Sequence, residues 1–227
     1  MPTKNKTKEL PTEVAAIRKT IAGFLDIVDE QGRKIGNSKY GVYVFYDYDR
    51  EPIYVGQTYE SLRSRIGRHL TNQRTDAVAM NVLDPFEVAE IEVWPLDDRI
   101  ERIDSGISDK EYLAMAEYTV MQKVLAESTL GAVLNEKVVP KTSKVDLPES
   151  FREKIVPNDI YHLRKHPDVR LARRANTISS LARVISERKV SEGLRRTLLT
   201  QARRLELLAF RRLRELGISE SESEYNE

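Results

Sequence analysis

Apolar residues first recur at helical spacing between Val14 and Val28, where Val14, Ile17, Ile21, Phe24, Leu25 and Val28 share one face. Pro11 and Thr12 precede them and Gly32 follows, so the pattern predicts an amphipathic helix with its start and stop signals in place. The period then shortens. Gly41-Val42-Tyr43-Val44-Phe45-Tyr46 and Ile53-Tyr54-Val55-Gly56 are β-branched and aromatic runs, and the polar segment from Asp47 to Pro52 reads as the hairpin connection between them. Ser61 opens a second helix with Leu62, Ile66 and Leu70 on one face and Arg65 and His69 one turn apart along its edge. Phe86 to Trp94 alternates as a third strand, with Ala89, Ile91 and Val93 inward and Glu90, Glu92 and Trp94 on a solvated face. Those two glutamates are read as surface carboxylates rather than metal ligands.

Ser108-Asp109-Lys110-Glu111 is a capping-box pattern, which starts a helix at Ser108 and carries it through Tyr112 to about Ala126. On that helix Leu113, Glu117, Val120 and Val124 fall on one stripe. An unpaired ionised carboxylate there would cost several kcal/mol or would take up a proton, so something must compensate Glu117. A divalent cation and an arginine are the two candidates. Glu136 to Ser150 has the composition of a linker or domain edge. Beyond it the chain reads as helical. Pro167 opens a pattern with Val169, Ala172, Ile178, Leu181, Ala182 and Ile185; Ser191 caps another with Leu194, Leu198, Ala202, Leu205, Ala209, Leu213 and Leu216. An antiparallel helical hairpin turning near Val190 to Gly193 accommodates both.

Charge changes the picture of this last region. The 227 residues carry a formal net charge of only +1. Yet Phe151 to Arg214 holds 17 Lys and Arg against 6 Asp and Glu, and the tail from Glu215 onward is acidic. Arg196, Arg203, Arg204, Arg211 and Arg214 project opposite the leucine stripe, a basic face suited to a duplex backbone. The leucine stripe would pack on the core or form a homodimer. Lys4, Lys6, Lys8, Arg18 and Lys19 read as solvated surface, and His162 with His166 as a surface pair without an acidic third ligand. Cysteine is absent, which excludes disulfides, thiolate chemistry and cysteine-type zinc fingers. The start lacks the apolar core of a signal peptide and no later run is long enough to span a bilayer, so a soluble, cytoplasmic protein without membrane association is expected.

The two tyrosine-bearing strand motifs, Gly41-Val42-Tyr43 and Tyr54-Val55-Gly56, followed by the helix Leu62-Arg63-Ser64-Arg65-Ile66-Gly67-Arg68-His69, resemble the GIY-YIG nuclease family. Valine stands for isoleucine in both motifs and keeps the β-branched packing. The resemblance covers roughly Ser38 to Lys137. It implies a catalytic set of Tyr43 as base, Tyr54 beside it, Arg65 holding the scissile phosphate, His69 assisting proton movement, and Glu117 binding a single Mg²⁺, for which Mn²⁺ would substitute. Family members also place an asparagine near a short strand after that glutamate, and Asn135 in Ala132-Val133-Leu134-Asn135 is the fit here, with a turn residue as its other reading.

The expectation is therefore an α/β protein: a small mixed sheet flanked by helices, plus a C-terminal α-helical region. The segments would be 1–37 as N-terminal helix and lead-in, 38–145 as nuclease domain, and 146–227 as basic helical region with acidic tail. The expected activity is metal-dependent endonucleolytic hydrolysis of double-stranded DNA, as a sequence-specific restriction enzyme or as a less selective nuclease of a mobile element, phage or repair system. The alternative outside enzymes is a non-cleaving DNA-binding module on the same fold. Arg196, Arg203, Arg204 and Arg211 are the residues expected to touch DNA phosphates.

Overall fold

A computed structural model describes residues 11–71, 82–101 and 106–218. Lys4, Lys6 and Lys8 and all but the start of the acidic tail lie outside the described residues. The first helix, α1 (Thr12–Leu25), buries Ile21, Phe24 and Leu25 as its apolar face requires. Val28 lies beyond its end, 54% exposed, in an isolated bridge to Lys34.

The tyrosine motifs form a hairpin of β1 (Gly41–Tyr46) and β2 (Pro52–Thr58), paired antiparallel with Tyr43 opposite Gly56 and Phe45 opposite Tyr54. The Asp47 carboxylate closes its turn by accepting from the Asp49 and Glu51 amides at 2.8 and 3.1 Å. Arg50 takes the left-handed conformation, φ 63°, that brings the chain back. β3 (Glu90–Pro95) pairs with the other side of β1. The sheet order is β2-β1-β3-β4, antiparallel throughout where a mixed sheet was expected.

Its fourth strand, β4 (Phe151–Lys154), lies in the stretch that reads as helical. Only four residues long, it is too short to show a period of two, and β3 supplies its ladder partners. β4 also corrects the reading of the β3 outer face. Glu92 is 4% exposed rather than solvated, because Tyr46 Oη donates to it at 2.6 Å and Ser150 Oγ at 2.7 Å, with Lys123 at 3.4 Å. Glu90 is held by Arg152 at 2.8 Å.

Both faces of the sheet are covered. Tyr43, Phe45, Ile91 and Val93 pack with α1 and with Leu62 and Ile66 of α2 (Leu62–Thr71). Val42, Val44, Tyr46 and Trp94 pack under α4 (Asp109–Glu127), which follows the short α3 (Asp97–Glu101). The capping box of α4 is formed, with Ser108 and Glu111 bonding reciprocally. Residues 136–150 carry no regular structure but are not a free linker: Val139, Val145 and Leu147 pack on the second core, and the Val145 amide donates to Thr119 Oγ1 at 3.1 Å.

Three helices complete the described chain: α5 (Asn158–Lys165), α6 (Pro167–Glu187) and α7 (Glu192–Glu215). α6 and α7 form the expected antiparallel hairpin, but a different face is buried. Its deepest positions are Arg170, Arg174 and Leu181 on α6 and Leu194, Thr197, Gln201, Arg204 and Leu208 on α7. The predicted stripe is only partly covered, since Ala202 and Leu216 are exposed. The reason is electrostatic. Asp47 at the β1–β2 turn, 1% exposed, receives Arg204 at 2.5 Å, Arg174 at 2.8 Å and Arg170 at 3.2 Å, while Glu87 takes Arg174 at 3.0 Å. Arg204 is thus 3% exposed and cannot reach a DNA phosphate, which removes it from the expected contact set. Arg196, Arg203 and Arg211 remain exposed on α7. His162 and His166 are exposed as expected of a surface pair. Among the described residues no helix is long and apolar enough to cross a membrane.

Candidate active site

β2 is an edge strand, and an open cleft of about 610 Å³ runs along its free side. Tyr54, Val55, Gly56 and Gln57 form its floor; Arg65, Arg68 and His69 reach in from α2; Glu117 reaches in from α4; and Asn135 to Pro140 form the remaining wall. Five of the six expected site residues therefore meet in one cleft although they span 82 positions from Tyr54 to Asn135.

The sixth, Tyr43, lies beneath it. Its ring sits 6.4 Å from Tyr54 and 5.9 Å from His69, with 0% exposure and a hydroxyl that meets no geometric hydrogen-bond partner among the described residues. A Cβ at Gly56 would overlap this phenol, so the glycine opposite Tyr43 makes its position available. Burial drives the Tyr43 pKa far above the ordinary phenol range, and the nearby Arg65 charge opposes that only in part. Tyr54 is raised as well, chiefly by burial. Both phenols are therefore protonated at neutral pH.

His69 is the group in the opposite state. Packed between Tyr54 (5.2 Å between ring centres) and Phe45 (6.0 Å), it is 1% exposed, and neither ring nitrogen has a hydrogen-bond partner among the described residues. Burial, with the charges of Arg65 and Arg68, lowers its pKa to about 4. Its imidazole is neutral at pH 7, and the same surroundings make it a weaker base than a solvated histidine. Arg65 is half-buried with an Nε that has no partner among the described residues, whereas Arg68 is engaged with Glu60, its Nη1 donating to Oε2 at 2.6 Å. Arg65, beside the Tyr43 hydroxyl and with no carboxylate partner among the described residues, is thus the guanidinium placed to meet an anion.

Glu117 carries the consequence expected of a carboxylate in an apolar stripe. Burial raises its pKa to about 7, and the charge of Arg65 opposes this without an ion pair; among the described residues no cation lies within 4.0 Å of it. The arginine compensator is not realised. Among the described residues no cluster of three or more His, Cys, Asp or Glu could hold a metal. A lone carboxylate suits Mg²⁺, which keeps several waters and uses substrate phosphates as ligands, better than an ion wanting an all-protein cage.

Asn135 is placed by its own side chain. Oδ1 accepts from the Val55 amide at 3.0 Å and Nδ2 donates to the Val55 carbonyl at 2.7 Å, so one amide group satisfies both backbone groups at the open edge of β2. This is more than the turn-residue reading allowed. Gln57, Lys137 and Val138 also line the cleft and were not singled out from sequence. Only the position of Gln57 beside the Tyr-Val-Gly motif offered a signal.

Compared with known families, residues 39–122 match the model of a GIY-YIG catalytic domain. No curated protein and no solved structure gives a match.

Proposed function

We propose that this chain, whose residues 39–122 match the model of a GIY-YIG catalytic domain, is a metal-dependent endonuclease that hydrolyses phosphodiester bonds of double-stranded DNA. The observation that carries the reading is the convergence of Tyr54, Arg65, His69 and Glu117 on one open cleft, with Tyr43 directly beneath.

Glu117 would hold Mg²⁺, or Mn²⁺ in its place, which when bound supplies positive charge against the scissile phosphate and the leaving oxygen. Arg65 would clamp the same phosphate from α2. Tyr43 would take the proton of the attacking water, with the Arg65 charge beside it favouring the ionised phenol that this needs, and His69 would assist proton movement near the tyrosines. Tyr54, at the cleft surface, would order that water by hydrogen bonding. Asn135 would keep the β2 edge, and with it Tyr54, in place. The exposed Arg196, Arg203 and Arg211 would contact flanking phosphates. Leu199 and Phe210 on α7 and Leu216 just beyond its end are exposed, at 53%, 39% and 55%, apolar surface that a second copy of the chain would cover, and light scattering measures the mass.

The test is incubation of the purified protein with plasmid and phage DNA in Mg²⁺. Discrete fragments mark a restriction enzyme, a smear marks a less selective nuclease, and intact DNA under all conditions removes the cleavage reading in favour of a DNA-binding module. Arg65→Ala is expected to slow single-turnover cleavage by two orders of magnitude or more, equivalent to about 3 kcal/mol, while circular dichroism stays parental. A parental rate in the folded variant would take the phosphate clamp away from Arg65. Changing Arg196, Arg203 and Arg211 together to Gln is expected to weaken DNA binding for all sequences and to flatten the log-log salt dependence by roughly 0.9 for each phosphate no longer neutralised. An unchanged slope would leave those arginines as solvated surface.

A further inference from the structure

The cleft wall that contains Asn135 has no ladder or helix of its own, and what supports it comes from the other end of the chain. Leu134 and Asn135 act as a surrogate strand on β2: the Leu134 amide donates to the Ile53 carbonyl at 2.8 Å, and the Asn135 amide group bonds both polar groups of Val55. The far side of this segment is covered by the first turn of α7. Ser191 Oγ donates to Glu136 Oε1 at 2.7 Å, Thr197 Oγ1 lies 3.4 Å from the Leu134 carbonyl, and Gly193 packs with no side chain against the Glu136 carbonyl.

Gly193 is the informative residue. Glycine in the first turn of a helix is less favourable than alanine by up to about 1 kcal/mol, so its presence there calls for a reason. Its φ is not in the left-handed region, and the reason is steric: a Cβ would overlap the Glu136 carbonyl oxygen. The backbones of α7 and the cleft wall meet at a separation only glycine permits.

We propose that Ser191, Gly193 and Thr197 are positioning residues, which hold Leu134 to Glu136 against the open edge of β2 and so fix Asn135 and the strand bearing Tyr54. Its catalytic consequence rests on the nuclease reading above; its structural content does not. The C-terminal hairpin is then a buttress of the catalytic cleft, separate from any contact α7 makes with DNA through its exposed arginines. Thr197 Oγ1 also lies 3.1 Å from the Gly193 carbonyl, so its single proton is shared between the helix and the wall.

The experiment uses the full chain with Gly193→Ala, Thr197→Val and the conservative Thr197→Ser, each first checked for folding by circular dichroism. Amide hydrogen exchange followed by NMR reads the wall directly, because the Val55 amide is protected by Asn135. Gly193→Ala is expected to speed Val55 exchange at least tenfold and Thr197→Val several-fold, with Thr197→Ser parental and the amides of β3 unchanged in all three. On the cleaving enzyme, Gly193→Ala should lower kcat by at least tenfold while KM for DNA stays within about twofold. Parental Val55 exchange in folded Gly193→Ala overturns the proposal, as does faster exchange with parental kcat. Should Gly193→Ala not fold, Thr197→Val takes its place, and parental Val55 exchange in that variant overturns the proposal equally. A parent that cuts no DNA in Mg²⁺ overturns the nuclease reading instead, and Val55 exchange still judges the buttress.

Discussion

Replacing Asp47 with Ala is expected to cost on the order of 4 kcal/mol of stability, the largest loss for any single substitution discussed for this chain. The carboxylate has two jobs. Oδ1 accepts from the Asp49 and Glu51 amides and closes the β1–β2 turn, while Oδ2 receives Arg170, Arg174 and Arg204 from both helices of the C-terminal hairpin. Burial alone would raise its pKa, but the charges of Arg204, Arg170 and Arg174 together outweigh burial and hold it below the usual carboxylate range. Removing it leaves three guanidiniums, each no more than 5% exposed, facing one another with Glu87 as the remaining deeply placed anion. Burial already lowers the pKa of Arg204 despite Asp47. A buried pair that loses one member is destabilised by about 3–5 kcal/mol, and the lost turn cap adds to it.

Urea denaturation measures this effect, with Arg173→Ala, 36% exposed at its side chain, as the near-neutral comparison. The sign with pH follows from the depressed pKa. The contribution of Asp47 is fully present above its ordinary value of 3.8 and disappears as pH falls through the lower folded-state value. The parent and Asp47→Ala curves should converge only in acid. A loss below about 1 kcal/mol at pH 7 would mean that water or rearrangement already relieves the arginines.

Glu117→Gln is expected to do two opposite things: abolish Mg²⁺-dependent cleavage and, without metal, raise stability at alkaline pH. The folded-state pKa is raised from 4.5 to about 7 by burial. Below 4.5 the parent carboxyl is protonated in both states, and amide and acid should be nearly equivalent. Between pH 4.5 and about 7 the unfolded chain ionises this group while the fold keeps it protonated, so the parent's stability falls relative to the amide by up to about 3 kcal/mol, less as cleft water reaches the carboxylate, and the gap stays constant above 7. Thermal denaturation in EDTA across pH 4 to 9 should show that gap opening and then levelling. Added Mg²⁺ should close it by stabilising the parent only, since a cation bound to the native state alone adds stability by mass action. Calorimetry at pH 7 should also show proton release when the parent binds Mg²⁺. A gap flat with pH, or Mg²⁺ binding equally well to the amide variant, would take the ligand role from Glu117.

Local spacing encodes the parts of the site that the sequence makes legible. The hairpin of Tyr43 and Tyr54, the arginine helix with Arg65 and His69, and the capped helix with Glu117 follow from periods of two and 3.6 and from turn and cap chemistry, all set by residues a few positions apart. Glu117 was legible as a misplaced charge because a carboxylate interrupts an apolar stripe. The same rule applied to α6 and α7 would have marked Arg170, Arg174 and Arg204, but there the leucines offered a second, more apolar face and the reading followed them. The choice between the two faces was made by tertiary structure, because Asp47 lies 123 to 157 positions away and supplies the charge that makes the arginine face the stable one to bury.

The same holds elsewhere in the chain. β4 exists because β3 offers an unpaired edge, Glu92 is buried because Tyr46 and Ser150 donate to it, and Asn135 belongs to the cleft because the Val55 amide and carbonyl face the open edge of β2. The depth of Tyr43 depends on the absence of a side chain at Gly56 across the pair. In each case the deciding partner is distant in sequence and acts through a hydrogen bond, a charge or a close approach, none of which leaves a period in the local pattern of apolar and polar residues.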